Sequence, residues 1–263
     1  MKALITGASS GIGLEMAKYL NKKGYELILV AKDNEKLEKV LKSFPKNTKM
    51  IVENLSREDN VIDLYNKTKS ENIDILINNA GFGACGDFDT IPLDNEMNMI
   101  NTNVKAVHIL TKLFLNDMIK RDSGYILNVS SSASFMPGGP LMATYYSTKS
   151  YVTELTNSIW YELKKRKSNV SISCLCPGPV DTNFNNVANV KFSIKPMSPD
   201  VVAKYAIDKM FKKKRIIAPG LGIKFSKFFS RFLSDKSLLK ITYNVQEKKR
   251  KRWLINAFLL SQY

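Results

Sequence analysis

The sequence predicts an α/β fold: a single doubly wound parallel sheet of about seven strands with helices on both faces. Two patterns predict it. Short apolar runs alternate with stretches of helical periodicity, an order that right-handed crossovers fold into a parallel sheet. The apolar runs also lack polar alternation, as strands covered on both faces do.

Each element follows in order. Ala3-Leu4-Ile5 makes a short strand ending at Thr6-Gly7. Apolar residues at helical spacing run from Ile12 to Asn21 and stop at Gly24, a C-terminal cap. Leu27 to Val30 is a second strand, and Asn34 to Ser43 a helix with Leu37, Val40 and Leu41 on one side. Lys49 to Val52 is a third strand, Asp59 to Ser70 a helix, and Ile73 to Ile77 a fourth strand closing on Asn78-Asn79-Ala80-Gly81. Pro92 opens a long helix that runs to about Arg121. Tyr125 to Val129 is a strand and Ala143 to Lys167 another long helix. Val170 to Leu175 is a strand closed by Cys176-Pro177-Gly178-Pro179. Asp200 to Lys213 is a helix, and Arg215 to Ala218 a short seventh strand.

Composition excludes several classes. The chain has 263 residues, 44% of them hydrophobic and 24% charged, too apolar for a disordered protein. No run approaches ~18 uncharged apolar residues, so no spanning helix is expected. Met1 to Gly7 reads as a strand entering a glycine turn rather than a secretory signal. Three cysteines give no disulfide framework, and Cys174 and Cys176 without further Cys or His make no zinc site. No metal is expected, and the cytoplasm is the expected compartment. The formal net charge is +16, and residues 204–263 hold sixteen Lys/Arg against three Asp/Glu. The expected organisation is one domain over residues 1–220 and a basic amphipathic extension over 221–263.

Thr6-Gly7-Ala8-Ser9-Ser10-Gly11-Ile12-Gly13 lies between the first strand and the first helix. Glycines there permit a tight turn and close approach of a pyrophosphate, and the helix N-terminus offers N–H groups and a positive dipole end. A Rossmann-like dinucleotide site using Gly7, Ser9, Ser10, Gly11, Ile12 and Gly13 is expected. Tyr145 and Lys149 stand four apart on a predicted helix and share a face. A cation near a phenol favours tyrosinate, which suits the pair to proton transfer. Tyr146 has only Ser150 at that offset.

Thr6-Gly7-x-x-x-Gly11-x-Gly13, Asn78-Asn79-Ala80-Gly81, Tyr145-x-x-x-Lys149 and Pro177-Gly178 followed by Thr182 together resemble the motifs of the short-chain dehydrogenase/reductase family, in order, over about residues 1–185. The resemblance implies a nicotinamide-dependent oxidoreductase interconverting a carbonyl and a secondary alcohol, with Tyr145 as general acid and base. It implies that Lys149 also binds the nicotinamide ribose, and that Asn103 holds a water linking the lysine to solvent. It gives the catalytic serine as Ser131, with Ser132 the second candidate. Asn79, Ala80, Gly81, Pro177, Gly178 and Thr182 are implied cofactor contacts. Ala31 stands where NAD-preferring relatives carry Asp, and Lys32 follows it, which points to the 2′-phosphate of NADP(H). Asn54 replaces the family's adenine-binding acid, and its amide oxygen can still accept.

A silent NADP-binding sensor or scaffold on this fold is the alternative. The Asn103–Ser131–Tyr145–Lys149 set argues against it, since a sensor needs no proton donor. His108 is the sole histidine and has no partner motif. Residues 183–197 are expected to form the substrate lid. Phe184, Val187, Val190, Phe192, Ile194 and Met197 there predict an apolar carbonyl, such as a steroid, fatty-acyl or aromatic one. In the extension, Leu221, Phe225, Phe228, Phe229, Phe232 and Leu233 form one apolar stripe, with Lys224, Lys227 and Arg231 off it. Lys248 to Arg252 is a basic run, followed by Trp253-Leu254-Ile255 and Ala257-Phe258-Leu259-Leu260. Two readings stand: the stripe packs on the domain or closes a dimer, or it docks peripherally on an anionic membrane. A homodimer or homotetramer is expected. Nucleic acid is not, because no recognised module accompanies the charge.

Overall fold

The computed structural model describes residues 1–45, 47–188, 195–220, 222–223, 225, 228 and 230–260. Seven strands form one sheet: β1 Lys2–Thr6, β2 Glu26–Ala31, β3 Lys49–Val52, β4 Ile75–Asn78, β5 Tyr125–Val129, β6 Ser171–Leu175 and β7 Ile216–Ile217. All pairings are parallel, in the order β3-β2-β1-β4-β5-β6-β7. The helices are α1 Gly11–Lys22, α2 Asn34–Leu41, α3 Glu58–Thr68, α4 Leu93–Ile100, α5 Val107–Lys120, α6 Ala143–Lys165, α7 Phe184–Val187, α8 Pro199–Phe211 and α9 Asp235–Leu260.

The unbroken apolar strands are explained by two cores. Successive side chains of a strand face opposite sides of the sheet. Ala3, Ile5, Leu27, Leu29, Ile75 and Ile77 point to the face covered by Met16 and Leu20 of α1, Leu37 of α2 and Ile207 of α8. Leu4, Ile28, Val30, Leu76 and Ile126 point the other way, onto Leu64 of α3, Phe114 of α5 and Leu163 of α6. Both faces are therefore covered, and the polar strand residues Asn78, Asn128, Ser171 and Ser173 are buried with them.

The chain runs outward from β1 through β2 to β3, then crosses back to place β4 on the other side of β1. Loops leaving β1 and β4 diverge there and open a crevice at the C-terminal strand ends. The predicted helix from Pro92 to Arg121 is continuous but not regular: Asn101–Ala106 between α4 and α5 is a π-helical turn. Such turns insert an extra residue and recur at functional sites. No periodicity in the sequence marks it.

The basic run at 248–252 and the segment after it belong to one 26-residue helix, α9. Leu238, Thr242 and Gln246 recur every fourth residue and form its buried face. Arg250 Nη1 reaches Asp87 Oδ2 at 2.8 Å, and Leu239 lies against Gly138. Of the predicted stripe, Phe225, Phe228, Phe232 and Leu233 are exposed. Leu221, Lys224, Lys227, Phe229 and the Arg231 side chain lie outside the described residues, as do the side chains of Leu254 to Leu260.

Candidate active site

The loop after β1 is a backbone cradle. Gly7 and Gly11 take φ of +66° and +57°, where a side chain would be strained. A Cβ at Gly7 would also stand 2.8 Å from Asn79 Nδ2. Thr6 Oγ1 accepts from the N–H groups of Asn79 and Ala80, both at 3.0 Å, and ties the ends of β1 and β4 together. Asn79 Nδ2 donates to Thr6 O at 3.0 Å and Gly7 O at 3.1 Å, so it clamps the glycine turn. At the N-cap of α1, Ser10 makes no side-chain bond, so no N-cap side chain occupies the first-turn donors. Gly7, Ser9, Ser10, Gly11 and Ile12 line a cavity of about 1130 Å³. A pyrophosphate fits this cradle, where glycine backbone and the N-terminus of α1 line the cavity.

Ala31, Lys32, Asp33, Lys36 and Asn54 line the far end of the same cavity. Asp33 is committed elsewhere. Its Oδ1 caps α2 by accepting from Lys36 N at 3.0 Å, its Oδ2 pairs with Lys36 Nζ at 2.7 Å, and these bonds hold its carboxyl below the usual range. Lys32 is exposed at the strand end. Asn54 Oδ1 accepts from Ser56 N and Oγ, at 3.2 and 2.9 Å, and so stabilises its own turn.

At the other end, Tyr145 and Lys149 stand one turn apart on α6, both buried. The three serines after β5 have different neighbours. Ser130 Oγ donates to Lys149 O at 2.7 Å and is buried. Ser131 stands beside the Tyr145 phenol, and its Oγ accepts from Ala133 N at 3.1 Å. Ser132 opens a 3₁₀ turn and donates its N–H to Pro177 O at 2.8 Å. Burial pushes the Tyr145 phenol up to about 12, with the Ser131 bond pulling against it. Burial likewise pushes the Lys149 ammonium down to about 8. Lys149 Nζ donates to Val129 O at 3.0 Å and sits 5.9 Å from the Tyr145 ring centre.

Asn103 lies in the π turn, fully buried. Its Oδ1 accepts from Phe82 N at 3.1 Å, and its Nδ2 donates to Phe82 O at 2.9 Å and Thr148 Oγ1 at 3.1 Å. It fixes the loop after β4 against α6, beside Gly81 and Lys149. Pro177, Gly178 and Thr182 line the cavity, and Thr182 Oγ1 accepts from Phe184 N at 3.3 Å. Gly178 is covered by Ile223.

The expected lid divides. Phe184 and Val187 line the cavity, and the Phe184 ring lies 5.3 Å from that of Tyr145. Met197 instead bridges Val180 and packs on the core beside α1 and α8. Val190, Phe192 and Ile194 lie outside the described residues. His108 Nδ1 meets Tyr151 Oη at 2.7 Å, away from the site. Two cavity residues have no motif to announce them: Gln246 and Lys249 of α9, more than a hundred residues after Tyr145 along the chain. Among the described residues there is no cluster of metal-ligating side chains, and no helix is long and apolar enough to cross a membrane.

Comparison with known proteins agrees with this geometry. Residues 1–191 match the family described as short chain dehydrogenase. The very-long-chain 3-oxoacyl-CoA reductase-B of Danio rerio is 32% identical over 193 residues, 70% of this chain and 61% of that protein. The 3-oxoacyl-[acyl-carrier-protein] reductase of Rickettsia prowazekii is also 32% identical over 193 residues, 72% of this chain and 76% of its own length. A short-chain dehydrogenase from Sphingobium yanoikuyae, solved with NADPH, superposes with a TM-score of 0.78 at 23% identity, covering 88% of this chain and 93% of that one. One from Burkholderia phymatum, solved with NAD, also gives 0.78, at 21% identity and 86% and 91% coverage. On the family match and these relatives, the chain belongs to the short-chain dehydrogenase/reductase family, whose members are oxidoreductases that use a nicotinamide cofactor.

Proposed function

We propose that the protein is an NADP(H)-dependent oxidoreductase that interconverts a carbonyl and a secondary alcohol. The observation that carries this is the Ser131–Tyr145–Lys149 group on the wall of a cavity that runs on to the glycine cradle. When bound, the nicotinamide supplies or takes up the hydride. Tyr145 gives its proton to the carbonyl oxygen on reduction and recovers it on oxidation. Ser131 donates to the same oxygen and holds it near the phenol. Lys149 supplies positive charge beside a group that passes through an anionic form, and binds the nicotinamide ribose. Asn103 acts as a positioning residue through Phe82 and Thr148.

In this reading Gly7, Ser9, Ser10, Gly11, Ile12 and Gly13 shape the pyrophosphate site, and Lys32 reads the 2′-phosphate. Asn54 lies by the adenine. Asn79 secures the loop, while Ala80, Gly81, Pro177, Gly178 and Thr182 flank the nicotinamide half. Phe184 and Val187 support an apolar substrate, and the names of the two relatives favour a fatty-acyl carbonyl among the apolar classes. Residues 1–220 then form the cofactor-binding catalytic domain, and 221–263 an extension whose exposed phenylalanines and positive charge suit an anionic membrane surface. A homodimer or homotetramer is the proposed assembly, to be checked by light scattering. The test of function is spectrophotometric: oxidation of NADPH and NADH with a panel of ketones and 3-oxoacyl thioesters. Turnover with NADPH supports the reading, and none with any member of the panel overturns it.

A further inference from the structure

A cluster of hydroxyls and thiols lies behind the wall that Ser131, Tyr145 and Lys149 give the cavity. Thr153 follows Lys149 by one helical turn and Tyr145 by two, so all three share a face of α6. Its Oγ1 stands 2.8 Å from Ser130 Oγ and 2.9 Å from Ser134 Oγ. Those two serines lie on either side of Ser131 in the chain. Each donates to a backbone carbonyl: Ser130 Oγ to Lys149 O at 2.7 Å, and Ser134 Oγ to Ser131 O at 2.8 Å. The carbonyls so held belong to the serine and the lysine of the proposed reaction. From β6 and the residue after it, Cys174 Sγ and Cys176 Sγ approach Thr153 Oγ1 to 3.6 and 3.8 Å.

Thr153, Ser130, Cys174 and Cys176 are all buried. Apolar side chains of the same size would fill this space with no hydroxyl to desolvate, so the cluster holds only as a connected set. Its protons are few. Three hydroxyls have three protons for four short oxygen contacts, and the serines commit two of them to the carbonyls. Thr153 gives the third to Ser130 or to Ser134, and whichever accepts it becomes the stronger donor to its own carbonyl. Thr153 therefore stands at the junction of two arms, one ending on Ser131 and the other on Lys149.

We propose that Thr153 is a positioning residue for the proton-transfer step: through Ser134 and Ser130 it fixes the chain that carries Ser131 against the helix that carries Tyr145 and Lys149. This role rests on the oxidoreductase reading above. The two halves of the group arrive on different elements, Ser131 after β5 and the tyrosine and lysine on α6. How those elements dock decides where the serine hydroxyl stands relative to the phenol. Apolar contact is non-directional and leaves them room to slide, whereas hydroxyl bonds fix both distance and angle. A small slip of Ser131 would leave the cofactor cradle intact and spoil the alignment of the reacting carbonyl.

The experiment measures kcat on a ketone that the wild type reduces, with NADPH affinity by fluorescence titration alongside. Thr153→Val keeps the branched shape and removes the hydroxyl. Its kcat should fall by ~5-fold or more while NADPH affinity stays within ~3-fold. Thr153→Ser returns the hydroxyl and should restore most of the loss. A double-mutant cycle gives the readout that a loosened helix would not: in a Ser131→Ala background, Thr153→Val should cost less than ~2-fold further, because its route runs through Ser131. Ser134→Ala cuts the Ser131 arm alone, should lower kcat with the same sparing of NADPH affinity, and carries the test if Thr153→Val does not fold. A smaller loss in kcat, a parallel loss of NADPH affinity or no recovery in Thr153→Ser overturns the role and leaves the function standing. An equal further loss in the Ser131→Ala background also overturns it, since the hydroxyl then supports α6 as a whole. A wild type that reduces no member of the carbonyl panel removes the oxidoreductase reading, and this role with it.

Discussion

Lys149 holds its Nζ 3.0 Å from the Val129 carbonyl and 5.9 Å from the centre of the Tyr145 ring, so β5 rather than the phenol sets where the ammonium sits. The two groups respond to burial in opposite directions: the phenol rises to about 12 and the ammonium falls to about 8. Each is pushed toward its neutral form, as desolvation requires.

A pH profile follows. Reduction needs the phenol protonated and the ammonium charged. The first condition holds throughout the neutral range, and the second fails as pH rises through about 8. kcat/KM for reduction should therefore be flat near neutrality and fall above pH about 8. Alcohol oxidation needs the phenol to accept a proton and should gain with pH. Reduction that accelerates from neutral to alkaline pH would contradict the assignment.

Cofactor choice is predicted to depend on Lys32. Asp33, the nearest acid, is bound to Lys36 and unavailable to a ribose hydroxyl. Lys32→Asp should repel the 2′-phosphate and shift the NADPH-to-NADH ratio of kcat/KM toward NADH by ~10-fold, a charge-pair effect at an exposed site. A wild type with equal use of both cofactors would remove the role given to Lys32.

From the π turn, Asn103 makes three hydrogen bonds, two with the Phe82 backbone and one to Thr148 Oγ1. Asn103→Ala leaves the Phe82 N–H and C=O without partners, at a cost of about 1–3 kcal/mol. Chemical denaturation should show that loss, with kcat lowered more than cofactor affinity. Unchanged stability would mean that the loop finds other partners.

The membrane proposal predicts that the full chain sediments with anionic but not with neutral vesicles at low salt. Phe228 and Phe232 are exposed with ring centres 5.2 Å apart, outside the cavity. Phe228→Ser with Phe232→Ser should weaken that binding several-fold, since each buried aromatic contributes about 1.5–3 kcal/mol at most. Equal recovery in the supernatant with both vesicle types would leave packing or self-association as the role of the segment.

The sheet was legible because two buried faces leave runs such as Leu27 to Val30 without alternation, and because glycines and prolines punctuate the strand ends. Gly7, Gly11, Tyr145 and Lys149 were legible because their chemistry fixes short-range spacing. What escaped was long-range. The π turn at Asn101–Ala106 carries Asn103 onto Phe82, a contact across twenty-one residues with no local signature. Ser131 and Ser132 cannot be separated by spacing alone, because which hydroxyl stands beside Tyr145 depends on how the chain leaves β5. Lys249 belongs to a basic run that reads as surface, yet the turn of α9 brings it, with Gln246, to the cavity wall. Met197 looked like lid and packs on the core, because the bridge to Val180 turns it away from the cavity.

The most direct test of the central claim is Tyr145→Phe. The substitution removes one hydroxyl and keeps the ring that packs between Phe184 and Tyr146. With a ketone that the wild type reduces, kcat should fall by ~10²–10⁴-fold, the scale of general acid catalysis, while the affinity for NADPH by fluorescence titration changes by less than ~3-fold. A variant that keeps kcat within ~3-fold of wild type on the same ketone would contradict the account, because the proton would then come from elsewhere.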